Sequence, residues 1–182
     1  MEWKVLQSEY LHREPWLTVR KDKAQTPAGK VVENYYVHEY PDWVTAVPVT
    51  EDGKIIMIRQ YRHALGRTII EVPGGTLDDT DPTPEFGIRR ELLEETGYEF
   101  DTFENLGAVS ANPSTNTNLT HMFLARGGKK VQEQQLDHNE DIEVILMTPE
   151  EVIQLLKNNQ IIQSLHTSCL FYGLAKLGLV KF

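Results

Sequence analysis

Cysteine is almost absent from this 182-residue chain, in which Cys169 is the only one. A single cysteine permits no disulfide within the chain, which excludes the small secreted domains that depend on several such bonds. Cys169 also lies in an apolar helical pattern, so we interpret it as a small core residue rather than as a nucleophile.

Long apolar runs are missing as well. No stretch reaches the roughly 18 consecutive apolar residues that a membrane-spanning helix needs. No basic segment followed by an apolar run stands near Met1, so no secretion signal is predicted. We therefore expect a cytoplasmic protein with no membrane partner.

Positive charge is scarce, because 18 Lys and Arg face 27 Asp and Glu, for a formal net charge of −9. Surfaces that hold nucleic acids through their phosphates are usually basic, so we expect no nucleic-acid partner. A small nucleotide is still a reasonable substrate, since bound metal ions can reverse the local charge.

Residues 1–42 alternate in the manner of β-strands, with candidates at Lys4–Tyr10, Trp16–Asp22 and Val31–Tyr40. Three strands alone bury little and leave open edges. We therefore expect this segment to pair with a second copy of itself, giving a homodimer, or to pack on the main domain. The pattern breaks at Pro41, which places the boundary of the main domain, residues 43–182, after residue 42.

The main domain mixes strands with helices. We expect six strands, at Val44–Thr50, Lys54–Gln60, Thr68–Val72, Glu104–Ala111, Leu119–Ala125 and Glu143–Met147. Gly127 and Gly128 should end the fifth of these. A capping box at Thr148–Glu151 opens one helix, and an apolar helix spans Ser164–Leu177. Such interleaving favours an α/β or α+β layered fold.

The stretch Pro84–Gly97, PEFGIRRELLEETG, carries start and stop signals of a helix. Thr83 offers a hydroxyl N-cap, and Pro84 suits the first helical position. Gly97 readily takes the left-handed conformation found just past a helix end.

Three carboxylates lie on one face of this helix, because Glu91, Glu94 and Glu95 are spaced i, i+3 and i+4 at ~3.6 residues per turn. They repel one another and oppose the helix dipole. A divalent cation relieves both penalties, and carboxylates suit Mg²⁺ or Mn²⁺. The alternatives are a solvated acidic face with Arg89 and Arg90 as partners, or a Ca²⁺ site that only stabilises the fold.

These residues resemble the Nudix hydrolases. Arg90–Tyr98, RELLEETGY, matches the second half of that family's motif throughout. In the first half, counted from Gly75, Asp81 stands where the family has a glutamate, and one extra residue separates it from Arg90. The resemblance implies an α/β/α sandwich with a mixed sheet, accompanied here by the small N-terminal β-rich segment.

The resemblance also implies a metal site and a catalytic group. Two to three Mg²⁺ or Mn²⁺ ions would be held by the carboxylates and by one backbone carbonyl: Gly74, Glu91, Glu94 and Glu95. Arg90 and Glu94 belong to the catalytic group, with Arg90 as a support for the carboxylates. Within the acidic loop Asp137–Asp141, Glu140 best matches a catalytic glutamate of the family's ADP-ribose pyrophosphatases, with Asp137 and His138 as alternates.

Four further residues are candidates for substrate contact. Arg62, and more weakly Arg59, end a strand directed at a turn that we predict at Pro73–Gly75, and arginine suits bidentate phosphate contacts. By resemblance, Trp16 matches a tryptophan that stacks on adenine, although it could instead bury the sheet of a dimer. Pro113 matches a proline of the ADP-ribose-cleaving branch.

The resemblance therefore implies Mg²⁺-dependent hydrolysis of a nucleoside diphosphate sugar, with ADP-ribose giving AMP and ribose 5-phosphate. Other enzymatic substrates are GDP-mannose, NADH or a dinucleoside polyphosphate. A non-catalytic Nudix domain that senses a nucleotide is a further alternative, although such domains typically lose the glutamates that this chain keeps.

Overall fold

The computed structural model describes residues 1–181 and divides them into two compact units. The first consists of residues 1–42 and 110–119, and the second of the rest. In the described residues, no helix is both long enough and apolar enough to cross a membrane.

The first unit is a three-stranded antiparallel sheet in the order β1–β2–β3, formed by Lys4–Glu14, Leu17–Gln25 and Val31–Glu39. Residues 110–119 run along β3, where the Tyr35 hydroxyl donates to the carbonyl of Ser114 (2.7 Å). The His38 N–H also donates to the carbonyl of Thr115 (2.7 Å). All eleven residues of β1 are exposed.

The second unit is built on an eight-stranded mixed sheet, in which β4 and β10 pair in parallel and the other pairs are antiparallel. Its strands are β4 (Trp43–Thr50), β5 (Ile55–Arg62), β6 (Arg67–Glu71), β7 (Gly74–Thr76), β8 (Tyr98–Glu99), β9 (Thr102–Val109), β10 (Thr120–Lys130) and β11 (Ile142–Met147). Its helices are α1 (Pro84–Thr96), α2 (Pro149–Lys157) and α3 (Ser164–Lys176).

Two hydrophobic cores lie on opposite faces of this sheet, because successive side chains of a strand alternate. On β5, Ile55 and Met57 pack in the core shared with α2 and α3, whereas Ile56 packs in the core shared with α1. The unit is therefore a three-layered sandwich with α1 on one face and α2 and α3 on the other. Cys169 lies in the α2/α3 core, as predicted.

The local capping signals predicted the helices well. Thr83 accepts a hydrogen bond from the Phe86 N–H at the start of α1, and Gly97 ends that helix in the left-handed conformation. At α2, both hydrogen bonds of the capping box between Thr148 and Glu151 are present.

The structure differs from the sequence prediction at three places. Strand β10 does not end at Gly127 but continues to Lys130, because Gly127 forms a β-bulge at positive φ (76°). A side chain at Gly127 would clash with the carboxylate of Asp101. Gly74 and Gly75 form β7, which pairs with β4, instead of a plain turn. Trp16, predicted as the first residue of a strand, lies in the turn that precedes β2.

Candidate active site

Helix α1 presents its three carboxylates to different degrees. Glu91 and Glu95 are buried, whereas the side chain of Glu94 is about two-fifths exposed. Buried carboxylates are uncommon unless they are paired or hold a metal, because removal from water penalises the charged form. This face of α1 is therefore not a solvated acidic surface.

Arg90 joins two of these carboxylates to the loop before the helix. Its Nη1 donates to Glu91 Oε1 and to Glu94 Oε2, each at 3.0 Å. Its Nη2 donates to Asp81 Oδ2 (2.8 Å) and to the carbonyl of Thr76 (3.1 Å). The side chain of Asp81 is buried, and the hydrogen bond from Arg90 lowers its pKa. Asp81 thus anchors Arg90, although it departs from the glutamate of the family pattern.

The two buried carboxyls of α1 have raised pKa values. Burial raises the pKa of Glu91 to about 7, against the opposing effect of Arg90, and raises the pKa of Glu95 well above its usual range. The negative charge of Glu140 raises both pKa values further. Two such acids side by side are typical of a site that is completed by a cation.

The two glycines of β7 bring the backbone against these acids. The Gly74 N–H donates to Glu95 Oε2 (2.9 Å). A Cβ at Gly75 would lie 2.5 Å from Glu91 Oε1, so a side chain there would displace the carboxylate. Glycine at this position is therefore required for the close approach of β7 to α1.

The carboxylates share a face but do not converge. Within residues 1–181, no group of three or more His, Cys, Asp or Glu side chains is arranged to hold a metal ion. The physical reason lies in their partners, because Arg90 holds Glu91 and Glu94 while Glu95 is directed to Gly74.

The two arginines predicted to contact substrate lie on opposite faces of β5. Arg62 is on the α1 side, where its Nε donates to Glu71 Oε2 (2.9 Å) and its charge lowers the pKa of Glu95. Arg59 is on the α2/α3 side, where it donates to Glu143 Oε2 (2.7 Å) and lines a cavity of about 460 Å³ next to α2. The alternation of a strand thus brings only Arg62 toward the acids.

The three candidates for the catalytic base lie in the loop before β11. Glu140 is half-buried, whereas Asp137 and His138 are exposed. The Glu140 side chain accepts a hydrogen bond from the Asp137 N–H (3.1 Å), which closes the loop on itself. Only Glu140 of the three acts electrostatically on both Glu91 and Glu95.

The remaining two candidates, Trp16 and Pro113, belong to the first unit. Trp16 is 81% exposed, so its indole is not buried within that unit. Pro113 is exposed in a turn between residues 112 and 115.

Two residues near the site were missed by sequence reasoning, namely Glu71 and His166. Glu71 is fully buried at the end of β6 and pairs with Arg62. His166, near the start of α3, is buried with its Nδ1 3.5 Å from Glu71 Oε1. A lone carboxylate inside the apolar run TIIEV was the available signal for Glu71, whereas nothing local distinguishes His166.

Comparison with known proteins accounts for nearly the whole chain. A family model described as the NUDIX domain matches residues 39–167, and one described as the nucleoside diphosphate sugar hydrolase N-terminal domain matches residues 3–38. A solved structure described as an ADP compounds hydrolase superposes with a TM-score of 0.84 at 21% identity, over 99% of this chain and 98% of that one. This likeness confirms the predicted fold.

Relatives of known name cover most of the chain as well. An ADP-ribose pyrophosphatase of Bacillus subtilis (strain 168) is 32% identical over 88% of this chain and 86% of its own length. A methanol dehydrogenase activator of Bacillus methanolicus is 30% identical over 90% of this chain and 88% of its own length. Together with the helix, acids and glycines described above, these matches show that the chain belongs to the Nudix family of hydrolases.

Proposed function

We propose that this protein hydrolyses the pyrophosphate bond of a nucleoside diphosphate sugar, and that ADP-ribose is its substrate, giving AMP and ribose 5-phosphate. The observation that carries the proposal is the α1 face, where the buried acids Glu91 and Glu95 both feel the charge of Glu140, and Glu95 also feels the charge of Arg62. The similarity to the Bacillus subtilis ADP-ribose pyrophosphatase supports the choice of sugar and base.

A divalent metal cofactor is part of the proposal, with Mg²⁺ first, Mn²⁺ as an alternative, and two to three ions. The chemistry of the donor set fits such ions, because Glu91 and Glu95 are buried acids and carboxylate oxygens are the ligands that Mg²⁺ prefers, although Arg90 and the Gly74 N–H hold these carboxylates apart. Glu94 and the Gly74 carbonyl would complete the set. When bound, the ions would polarise the phosphates and lower the pKa of water.

The chain's own side chains then have separate tasks. The attack of water on a pyrophosphate requires an oxygen base near the phosphates. Glu140 would serve as this base, by orienting the attacking water or by taking its proton. Arg62 would contact the diphosphate with the Nη groups that its pair with Glu71 leaves available. Arg90 would hold Glu91 and Glu94 in place. Arg59 is not part of this contact set, since it pairs with Glu143 on the other face of the sheet.

The other substrate contacts remain predictions from the resemblance. Trp16 is proposed to stack on the base, an interaction worth roughly 1–3 kcal/mol per base. Pro113 is proposed to mark the loop that meets the sugar. A cytoplasmic location is proposed separately, from the lack of an apolar stretch of roughly 18 residues.

A homodimer formed through the N-terminal strands is also proposed. Strand β1 is an open edge of its sheet, and its exposed side chains include the large apolar residues Val5, Leu6, Tyr10 and Leu11. Exposed edges and apolar patches of this kind favour pairing with another chain. Sedimentation at micromolar concentration should give twice the chain mass, and the mass of one chain would reject the dimer.

The activity is tested with a panel of substrates in Mg²⁺: ADP-ribose, GDP-mannose, NADH and a dinucleoside polyphosphate, with products separated by chromatography. We expect the highest kcat/KM for ADP-ribose, with AMP as product, and loss of turnover on chelation. A higher kcat/KM for another compound would show that ADP-ribose is not the preferred substrate. Binding without hydrolysis of any compound would favour a nucleotide sensor.

A further inference from the structure

Glu71 is a buried carboxylate to which the proposed reaction gives no task. Its side chain is 1% exposed and ends the apolar strand β6. Burial raises its pKa, and the positive charge of Arg62 acts against that rise. A carboxylate in such surroundings is costly unless both of its oxygens are paired.

The first oxygen of Glu71 holds the inner edge of the Arg62 guanidinium. Arg62 Nε donates to Glu71 Oε2 at 2.9 Å, while the arginine side chain is 42% exposed. A guanidinium has five N–H donors, so this contact leaves its Nη groups available. The charge of Arg62 also lowers the pKa of Glu95 on α1. The arginine is therefore held at one edge by Glu71, while its charge acts on Glu95 of α1.

The backbone of Arg62 is fixed in the same way. Arg62 is the last residue of β5, and its carbonyl accepts a hydrogen bond from the Gly66 N–H (3.0 Å) across the short 3₁₀ turn His63–Leu65. The remaining freedom lies in the side-chain torsions, which Glu71 restricts. Such preorganisation lowers the entropic cost of engaging a ligand.

The second oxygen of Glu71 faces His166. Glu71 Oε1 and His166 Nδ1 are 3.5 Å apart, and neither atom has a hydrogen-bond partner in the part of the chain that the structure describes. Burial lowers the pKa of His166 to about 3, so the imidazole is neutral. A neutral imidazole carries one N–H, and only the Nδ1–H tautomer directs a donor at the carboxylate.

We propose that Glu71 is a positioning residue for Arg62, and that the Nδ1–H of His166 holds the second oxygen of Glu71, so that helix α3 supports the arginine that meets the diphosphate. This inference rests on the proposed function for the role of Arg62. The side-chain arrangement itself can be tested without any substrate.

The first experiment is NMR on the resting protein, without metal or nucleotide. Long-range ¹⁵N–¹H correlations should show His166 as the Nδ1–H tautomer from pH 5 to pH 8, and the Arg62 Nε–H should exchange slowly with water. In Glu71→Gln the side-chain amide can donate to His166, so the tautomer should switch to Nε2–H. An Nε2–H tautomer in the unmodified protein, or unchanged Arg62 exchange in Glu71→Ala, would overturn the proposal.

The second experiment is a double-mutant cycle in kcat/KM. Glu71→Ala and Arg62→Ala should each lower kcat/KM by about 10- to 100-fold, as expected for groups that orient a functional side chain. The double variant should lose no more activity than Arg62→Ala alone, because Glu71 has no task once the arginine is absent. Glu71→Gln, which keeps an acceptor for Arg62 Nε, should retain most of the activity and covers the case in which the alanine variant folds poorly.

Glu143→Ala is the matched control, because it removes the carboxylate that pairs with Arg59 on the other face of the same strand. Its kcat/KM should stay within about two-fold of the unmodified value. If the enzyme is active and the losses of kcat/KM in the two single variants add in the double variant, the positioning role is rejected while the proposed function stands. An enzyme that hydrolyses no nucleoside diphosphate sugar would reject the proposed function, while the NMR result would still decide the side-chain arrangement.

Discussion

The two faces of the sheet in the second unit bury different chemistry. The α2/α3 face is filled by apolar side chains such as Val152, Leu170 and Leu174, with Cys169 among them. The α1 face has its own apolar core, but buried acids accompany it. Apolar burial stabilises a fold, whereas buried carboxylates cost free energy and are retained where they have a task. The comparison identifies the α1 face as the chemical one and the other as chiefly structural.

Removal of one buried acid should produce the largest change in activity. Glu95→Gln keeps an acceptor for the Gly74 N–H but loses the charge, so turnover should fall by about 10²–10³-fold. The melting temperature of the metal-free protein should be unchanged or higher, because a desolvated carboxyl is replaced by a neutral amide. Steady-state kinetics and thermal melts measure both. Glu85→Gln, at an exposed position of the same helix, is the control, and equal activity in the two variants would remove the chemical role of this face.

The opposite result is expected from the α2/α3 face. Leu170→Ala creates a cavity in a fully buried position and should lower the free energy of unfolding by about 2–5 kcal/mol. Turnover per folded molecule should stay close to normal, since Leu170 packs in the apolar core beside α2 and α3. Denaturant unfolding and activity at a temperature well below the melting transition separate the two effects. A large loss of kcat in fully folded protein would contradict the division between the faces.

A smaller effect should follow from the loop before α1. Asp81→Ala leaves Arg90 without its shortest ion pair and should lower the free energy of unfolding by about 1–3 kcal/mol. Activity should fall by about ten-fold or more, because Arg90 also holds Glu91 and Glu94. The exposed i,i+4 pair between Glu85 and Arg89 provides the comparison, and its loss should cost no more than about 0.5 kcal/mol. Equal costs for the two pairs would argue against an anchoring role for Asp81.

His166 is the exception on α3, and it should make stability depend on pH. Its pKa is about 3 in the folded protein and about 6.5 in an unfolded chain, so the unfolded state binds more protons between these values. The contribution of His166 to stability therefore rises with pH across this window, and falls on acidification. Glu71, with a raised pKa, contributes the opposite slope above about pH 4.5. Urea unfolding at several pH values should show a shallower rise in His166→Phe, and an unchanged slope would contradict a buried neutral histidine.

Much of the fold could be predicted because its signals are local. The caps at Thr83, Gly97 and Thr148 act within one turn of their helices, so their spacing alone sets the helix ends. Turns were harder to predict, since Gly127 signals a break and a bulge equally well. Only the pairing of β10 with β4 and β8 beyond Gly127 decides for the bulge.

In the candidate site too, features that depend on nearby residues could be predicted, whereas features that depend on tertiary contacts could not. By itself the sequence determined helix α1, the single face shared by its three glutamates, and the glycines that precede it, because these depend on residues a few positions apart. Only the tertiary structure decided that Arg62 rather than Arg59 lies on that face, that Arg90 is anchored by Asp81, and that His166 meets Glu71 across 95 positions of sequence. Such contacts depend on strand register and on the packing of helices over a sheet, and no local pattern encodes either.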